Sequence, residues 1–373
     1  MMEPQKNIPK KNSISAYKVF IAVSVFVNVC FSIQPLLAAS CELGAYVGNA
    51  DHRAPYASEI QSFENLAGRH IGANLVYWAF NDGDFPTQQL NDGLRYHDGY
   101  NTHTTLQLAW EPWSRLGADD TTFALTDIIA GTHDNYITKF AQDCRNWQDP
   151  IHLRFMHEMV SAGPERWYPW QDNSTQYVQA WNHVRQIFRD QNATNVEFVW
   201  APNNFPPGLQ VLAPYYPGVD NVDWLGMDGF NSGEDGQAGW PSWQNFDDLF
   251  YNLYHVMVDH PEVFGDKKIM VAEFASSEID VRNNKKKSDW IFDTFLAIKQ
   301  RYPEIAAFYW FNTAKETDWR INSSPESLLA FQTAMQDPYF TSHVVPEPSA
   351  LVLFGMGLMF IMGRKNNKKH FNI

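Results

Sequence analysis

Two glutamates stand at the ends of strongly apolar runs in this 373-residue chain: Glu158, after Ile151–Met156, and Glu273, within KKIMVAEFA. An apolar run of about six residues reads as a strand buried in a sheet, so each carboxyl group would emerge where a strand ends. His157 precedes Glu158, Gly163 and Pro164 break the chain into a loop, and Trp167-Tyr168-Pro169-Trp170 follow. The chemistry that suits this set is cleavage of a bond between sugars. One carboxyl group protonates the departing oxygen and another attacks the anomeric carbon or activates water, while indole rings cover the apolar faces of a pyranose. Alternation along a strand puts Arg154 on the same face as Glu158 and one layer deeper. A buried arginine there needs a carboxylate partner, and it could hold Glu273 ionised. Of the other acids, Glu111 before Pro112 reads as shaping a groove, Asp228 before Gly229 as bracing a turn, and Asp223 and Glu278 as solvated.

Positioning such groups takes several strand ends on one face. Short apolar runs at Gly44–Val47, Asn74–Trp78, Thr105–Trp110, Ile151–His157, Val196–Ala201, Val222–Met227, Lys268–Ala272 and Ile305–Phe311 read as strands. Helix-like stretches lie between most of them, among them Ser58–Leu66, Pro86–Tyr96, Tyr136–Cys144, Thr175–Phe188, Phe246–Val258, Asp289–Lys299 and Pro325–Met335. Strands alternating with helices imply parallel pairing. Eight such units predict an α/β protein of the (β/α)8 TIM-barrel type, whose active site lies at the C-terminal ends of the strands. A doubly wound sheet usually opens with a Gly-rich phosphate turn, and this chain has none. The predicted strand ends carry Trp78, then Trp110-Glu111-Pro112-Trp113, His157-Glu158, Trp200-Ala201-Pro202-Asn203, Asp228-Gly229-Phe230-Asn231, Glu273, and Trp310 with Asn312. Trp110 and Trp167 are the expected sugar-stacking residues, with Trp78 and Trp310 beside them. Trp200, Trp224 and Trp310 read equally well as core.

Composition narrows the partner. The chain is 45% hydrophobic, with 14 Trp, 16 Tyr and 26 Phe, and carries a net charge of −14. The terminal segments hold eight of the basic residues, so the middle is more acidic still. Such a surface repels phosphate backbones and excludes nucleic acid as a partner; a neutral polysaccharide is compatible with it. No His/Cys/Asp/Glu group has the spacing of a metal site, so neither metal nor cofactor is expected. A monomer is expected.

Both termini differ from the middle. Residues 1–40 read as a signal peptide: Lys6, Lys10, Lys11 and Lys18, then apolar Val19–Ile33, then small residues before Cys41. Ala38-Ala39-Ser40-Cys41 also resembles a lipoprotein box. Cys41 and Cys144 are compatible with one disulfide or with two free thiols. The catalytic domain is expected over 41–341. The remainder, 342–373, has Val345-Pro346-Glu347-Pro348-Ser349, a 13-residue apolar run too short for a membrane span, and Arg364-Lys365 with Lys368-Lys369.

RFMHEM followed by WYPW, WEPW at the third strand, VAEF at the seventh, and FYWFNTAKETDWRINSS near the end resemble glycoside hydrolase family 26 over Leu43–Asp337. The resemblance implies a (β/α)8 barrel and a retaining endo-β-mannanase, with β-glucan and β-xylan as other substrates of the family. It implies Glu158 as acid/base, Glu273 as nucleophile, and His157 and Trp167 as sugar-binding groups. Two departures stand out. The loop Val160–Arg166 is longer than the family's Asn-Gly link, which would let Trp167 sit elsewhere. Phe230 replaces a tyrosine whose hydroxyl bonds the nucleophile, a loss of about 1–3 kcal/mol; this favours a slow enzyme or, in another class, a non-catalytic polysaccharide-binding barrel. The tail resembles the PEP-CTERM sorting signal of Gram-negative bacteria that make extracellular polysaccharide. That resemblance implies export to the cell envelope or beyond, transient membrane contact through the tail, and the host's own exopolysaccharide as a further possible substrate.

Overall fold

The structure is a computed structural model and describes residues 40–48, 53–97, 104–161, 166–171, 173–204, 208–233, 242–280 and 284–342. Of the expected leader and sorting tail, residues 1–39 and 343–373 lie outside the described residues. Among the latter, eight parallel strands form the barrel: β1 (Cys41–Tyr46), β2 (Ala73–Ala79), β3 (Thr105–Glu111), β4 (Ile151–Phe155), β5 (Val196–Trp200), β6 (Trp224–Asn231), β7 (Ile269–Ser276) and β8 (Ile305–Phe311). They pair in sequence order, and β8 closes on β1 from Glu42 opposite Ala307 to Tyr46 opposite Phe311. This is the (β/α)8 barrel that the alternation predicts. Strands covered by helices outside and by side chains inside must be buried on both faces, and all but one of the residues in β1–β5 are buried.

The helices are amphipathic and cover the outside: α1 (Ala57–Ala67), α2 (Asp134–Trp147), α3 (Ser174–Asp190), α4 (Phe246–Val258), α5 (Lys287–Arg301) and α6 (Pro325–Ala334). Side chains that accept from free N–H groups start several of them: Asn173 caps α3 through Gln176 N (3.1 Å), and Asn245 caps α4 through Asp248 N (2.8 Å). The helix expected over 86–96 is a short turn, Thr87–Leu90, that widens into a π-helical turn, Asn91–Arg95. β6 and β7 run further than their apolar cores predicted, because Asp228 and Glu273 are paired inside the barrel and need not leave it.

Register sorts inside from outside. Tyr77, Ala109 and Arg154 share one row across β2, β3 and β4; Trp78, Trp110 and Phe155 share the next. The first row faces the barrel interior, where Arg154 crosses to β6 and β7. The second faces the helices, where Trp110 stacks on Phe140 of α2 at 4.3 Å. Cys41 in β1 and Cys144 in α2 are both buried free thiols, so the disulfide alternative is not realised.

Candidate active site

The site forms at the C-terminal ends of β2, β3, β4, β6 and β7, and two backbone irregularities aim its carboxyl groups. The first is in β7. Val271 pairs with Met227 on one side and Phe308 on the other; the next pairs are Glu273 with Asp228 and Phe274 with Trp310. One extra residue, at Ala272, is therefore inserted relative to both neighbours, a β-bulge. Val271 and Phe274 both lie against outward rows, and Phe274 packs on Phe295, Phe308 and Trp310. Strict alternation from Val271 would have turned Glu273 outward as well; the bulge turns it in. Gln107 of β3 crosses the barrel and donates to the Ala272 carbonyl at 2.8 Å, holding the bulge.

The second irregularity follows β4. Met156 and Glu158 have φ of 48° and 51°, the left-handed region that non-glycine residues seldom occupy. Surrounding bonds hold this turn. Tyr177 donates to the Met156 carbonyl (3.2 Å), Trp170 to that of His157 (2.7 Å), Gln171 to that of Glu158 (2.7 Å), and the Glu158 N–H to the Ala201 carbonyl (2.8 Å). Strain of this kind persists only where the surroundings over-determine it, and here it presents His157 and Glu158 together at the mouth.

Arg154, wholly buried, bonds Glu273 at 2.6 Å and Asp228 at 2.9 Å. Asp228 is thus the second partner of the arginine and not a brace for a turn. Burial pushes its carboxyl up and Arg154 opposes that. The guanidinium between two carboxylates stays protonated. Tyr77, buried on β2, gives its hydroxyl to Glu273, and burial and the Glu273 charge raise its pKa so that it remains a donor. A hydroxyl thus reaches this carboxylate from β2. Phe230 itself is half-buried and packs its ring against Phe311 (5.4 Å) and Trp319 (5.1 Å), an apolar wall.

Glu158 accepts from Trp167 Nε1 at 3.0 Å, so the longer loop still delivers Trp167 to the acid; residues 162–165 of that loop lie outside the described residues. Burial pushes the Glu158 carboxyl up to about 7, and the charge of Glu273 pushes the same way against Arg154 and Trp167. Glu111, at the end of β3, is buried and likewise pushed up to about 7 by burial. It accepts from Trp113 Nε1 (3.1 Å), with Arg115 at 3.8 Å and His157 at 3.9 Å. Burial, with Arg154 adding to it, holds His157 well below the usual histidine range, so the ring is neutral; its Nε2 meets the Tyr168 hydroxyl at 3.0 Å.

The structure thus brings together Arg154, His157, Glu158, Trp167, Phe230 and Glu273. Three expected sugar contacts lie elsewhere. Trp110 is fully buried between the barrel and α2. Trp310 is fully buried, donates to the Trp319 carbonyl (3.0 Å) and packs on Phe274 and Phe331. Trp78 is buried and donates to the Gly83 carbonyl (3.1 Å). Each sits on an outward row, which strand-end position alone did not reveal. Half-buried aromatic surface at the mouth comes instead from Trp113, Trp167, Tyr168 and Phe230. Glu278 is also not merely solvated: it accepts from Ser324 (2.6 Å) and Ser327 (2.9 Å). Asp223 bonds Arg185 (2.9 Å) and the Phe198 N–H (2.7 Å).

Comparison with known proteins gives matches along most of the chain. The model of glycosyl hydrolase family 26 matches residues 126–319, and that of the PEP-CTERM protein-sorting motif matches 344–368. Endoglucanase H of Acetivibrio thermocellus is 34% identical over 329 residues, 85% of this chain and 33% of that protein; the chain spans about a third of the length of that relative. A β-mannanase from Bacteroides ovatus aligns with TM-score 0.60 at 15% identity, covering 83% of this chain and 92% of its own. A Cellulomonas fimi endo-β-1,4-mannanase aligns with TM-score 0.58 at 18% identity, covering 82% and 72%. At these identities the structural matches show the shared barrel.

Proposed function

The chain belongs to glycosyl hydrolase family 26, and we propose that it is a retaining endo-β-glycanase that cleaves a polysaccharide by double displacement. The observation that carries this reading is the unlike surroundings of two glutamates at one barrel mouth. Glu273 has Arg154 and the Tyr77 hydroxyl on it, donors that favour a carboxylate. Glu158 is half-buried at the mouth, and its desolvation there favours the acid form. A carboxylate held by donors suits attack on carbon, and a carboxyl group that burial keeps neutral suits proton donation. Glu273 attacks the anomeric carbon and the glycosidic bond breaks as Glu158 gives its proton to the departing oxygen. Glu158, now a carboxylate, takes a proton from water, which attacks the same carbon and releases Glu273. Retention requires the two carboxyl groups about 5–5.5 Å apart. Trp167 both covers a sugar face and orients Glu158.

Two substrates have support. The relative at 34% identity is named an endoglucanase, which favours a glucan. The structural neighbours named β-mannanases favour β-1,4-mannan. Glucan takes precedence because its support comes with twice the sequence identity. The sorting motif indicates export and association with the cell envelope of a Gram-negative bacterium; tail processing there, and a self-made exopolysaccharide as the target, extend the same reading.

A 2-deoxy-2-fluoro glycoside with a good leaving group should label Glu273, located by peptide mass spectrometry. Glu273→Ala should lose turnover on all substrates. Glu158→Ala should lose it on polysaccharide far more than on aryl glycosides with activated leaving groups. Labelling of a different carboxylate, or an inverted product anomer by NMR, overturns the assignment.

A further inference from the structure

We infer that Glu64, His70 and His97 form a structural site for a divalent transition cation of the zinc class, at the end of the barrel opposite the carboxyl pair. The three side chains offer one oxygen and two imidazole nitrogens that lie within 4.8 Å of one another. His70 Nδ1 is 2.7 Å from Glu64 Oε1, and His97 Nε2 is 2.8 Å from Glu64 Oε2. The two rings lie nearly parallel, 17° apart with centroids at 6.0 Å, one toward each oxygen of the same carboxylate. Two neutral imidazoles and a carboxylate are a ligand set that zinc takes, leaving a fourth position for water. Zinc–nitrogen and zinc–oxygen bonds of about 2.0–2.2 Å set tetrahedral ligand atoms roughly 3.3–3.6 Å apart, so each nitrogen would part from its oxygen by roughly half an ångström or a little more, and the nitrogens, within 4.8 Å of each other, would settle to the same spacing.

The chain brings the three ligands together on purpose-built turns. α1 ends at Ala67, and Gly68 follows with φ 69°, giving its N–H and that of Arg69 to the Glu64 carbonyl (2.8 and 3.2 Å). This left-handed turn folds His70 back over the side chain of Glu64. The Ile71 N–H donates to Glu64 Oε1 at 2.9 Å, the kind of outer-shell bond that orients a ligating carboxylate. His97 arrives from the helical segment after β2, and that segment docks closely on the chain entering α1. A Cβ on Gly93 would lie 2.1 Å from the Pro55 carbonyl oxygen, so only glycine allows the approach. Glu64 and the His97 side chain are each 8% exposed, while the His70 side chain is 38% exposed. A buried carboxylate with one open flank gives an ion a way in. The site would tie α1, the loop before β2 and the helical segment after β2 into one unit, leaving the reaction untouched.

The test uses the purified full chain after chelator treatment. Zinc should bind one per chain by calorimetry, and cobalt in its place should give the intense visible bands of a four-coordinate nitrogen–oxygen site. At zinc about a hundredfold above its dissociation constant, Tm should rise by about 5 °C, with glycanase turnover unchanged. His97→Gln keeps a hydrogen-bond donor for Glu64 but is not a zinc ligand; it should weaken zinc binding on the order of 100-fold and abolish the Tm response. A wild-type chain that takes up no zinc, or a His97→Gln variant that binds and responds as wild type does, overturns the site and leaves a hydrogen-bonded cluster.

Discussion

Tyr77 is the side chain on which the chemistry at Glu273 should depend most after the two glutamates and Arg154. It acts as a positioning residue through one hydroxyl on Glu273, the proposed nucleophile. A hydrogen bond to a charged group contributes about 1.5–3 kcal/mol, so Tyr77→Phe should lower kcat about 10- to 150-fold with little change in KM. A Phe230→Tyr variant should not restore it unless the new hydroxyl reaches Glu273, which the pH profile of the double variant would show. Proton supply is the second dependence at this scale. In the proposed mechanism Glu158 must be protonated to act, and burial has moved its carboxyl up to about 7. Activity on polysaccharide should therefore fall as pH rises through about 7. Glu111 titrates in the same range, so Glu111→Gln is the control: the alkaline limb should survive in it. A limb that vanishes in Glu111→Gln would transfer the titration to Glu111.

At the scale of elements, the barrel makes its site by breaking its own periodicity twice, in β7 and after β4. Removing Ala272 takes out the extra residue, so Glu273 follows outward Val271 directly and still faces inward opposite Asp228; the shortened chain should fold and keep the carboxylate at the mouth, with turnover lowered by loss of the carbonyl that Gln107 holds. Gln107→Leu takes the donor from the Ala272 carbonyl. It should cost about 1–3 kcal/mol in stability and lower kcat together, read by denaturant unfolding and by turnover. These irregularities also explain what the sequence could and could not disclose. Apolar runs located all eight strands, because strands buried on both faces must be apolar. RFMHEM and VAEF located both glutamates, because the acids that follow the runs are conspicuous. What was hidden is phase. Trp78, Trp110 and Trp310 stand at strand ends as a sugar platform would, but register places them outward. Tyr77, one residue before the more conspicuous Trp78, is the inward one. Aligning the second strand with Arg154 would have found it, since Tyr77, Ala109 and Arg154 share a row. Nothing in the sequence marks the bulge at Ala272. Glu64, His70 and His97 escaped notice for a similar reason: their spacing matches no metal pattern, and only the Gly68 turn and the Gly93 contact bring them together.

At the scale of the molecule, the catalytic groups come from five strands of a closed barrel, so no part of the sheet can open without dispersing them. The two buried thiols turn this into a measurable clock. Cys41 belongs to β1, whose N–H groups join the barrel closure, and Cys144 faces inward from α2 in the helical layer. Burial raises both thiols well above their usual range, so neither reacts while covered. With Cys30 replaced by serine, the rate at which a thiol reagent labels each position reports how often its layer opens. Cys41 should be labelled only on global unfolding, in step with loss of turnover. Faster labelling of Cys144 would mean that the helical coat loosens while the sheet, and the activity it carries, stays shut.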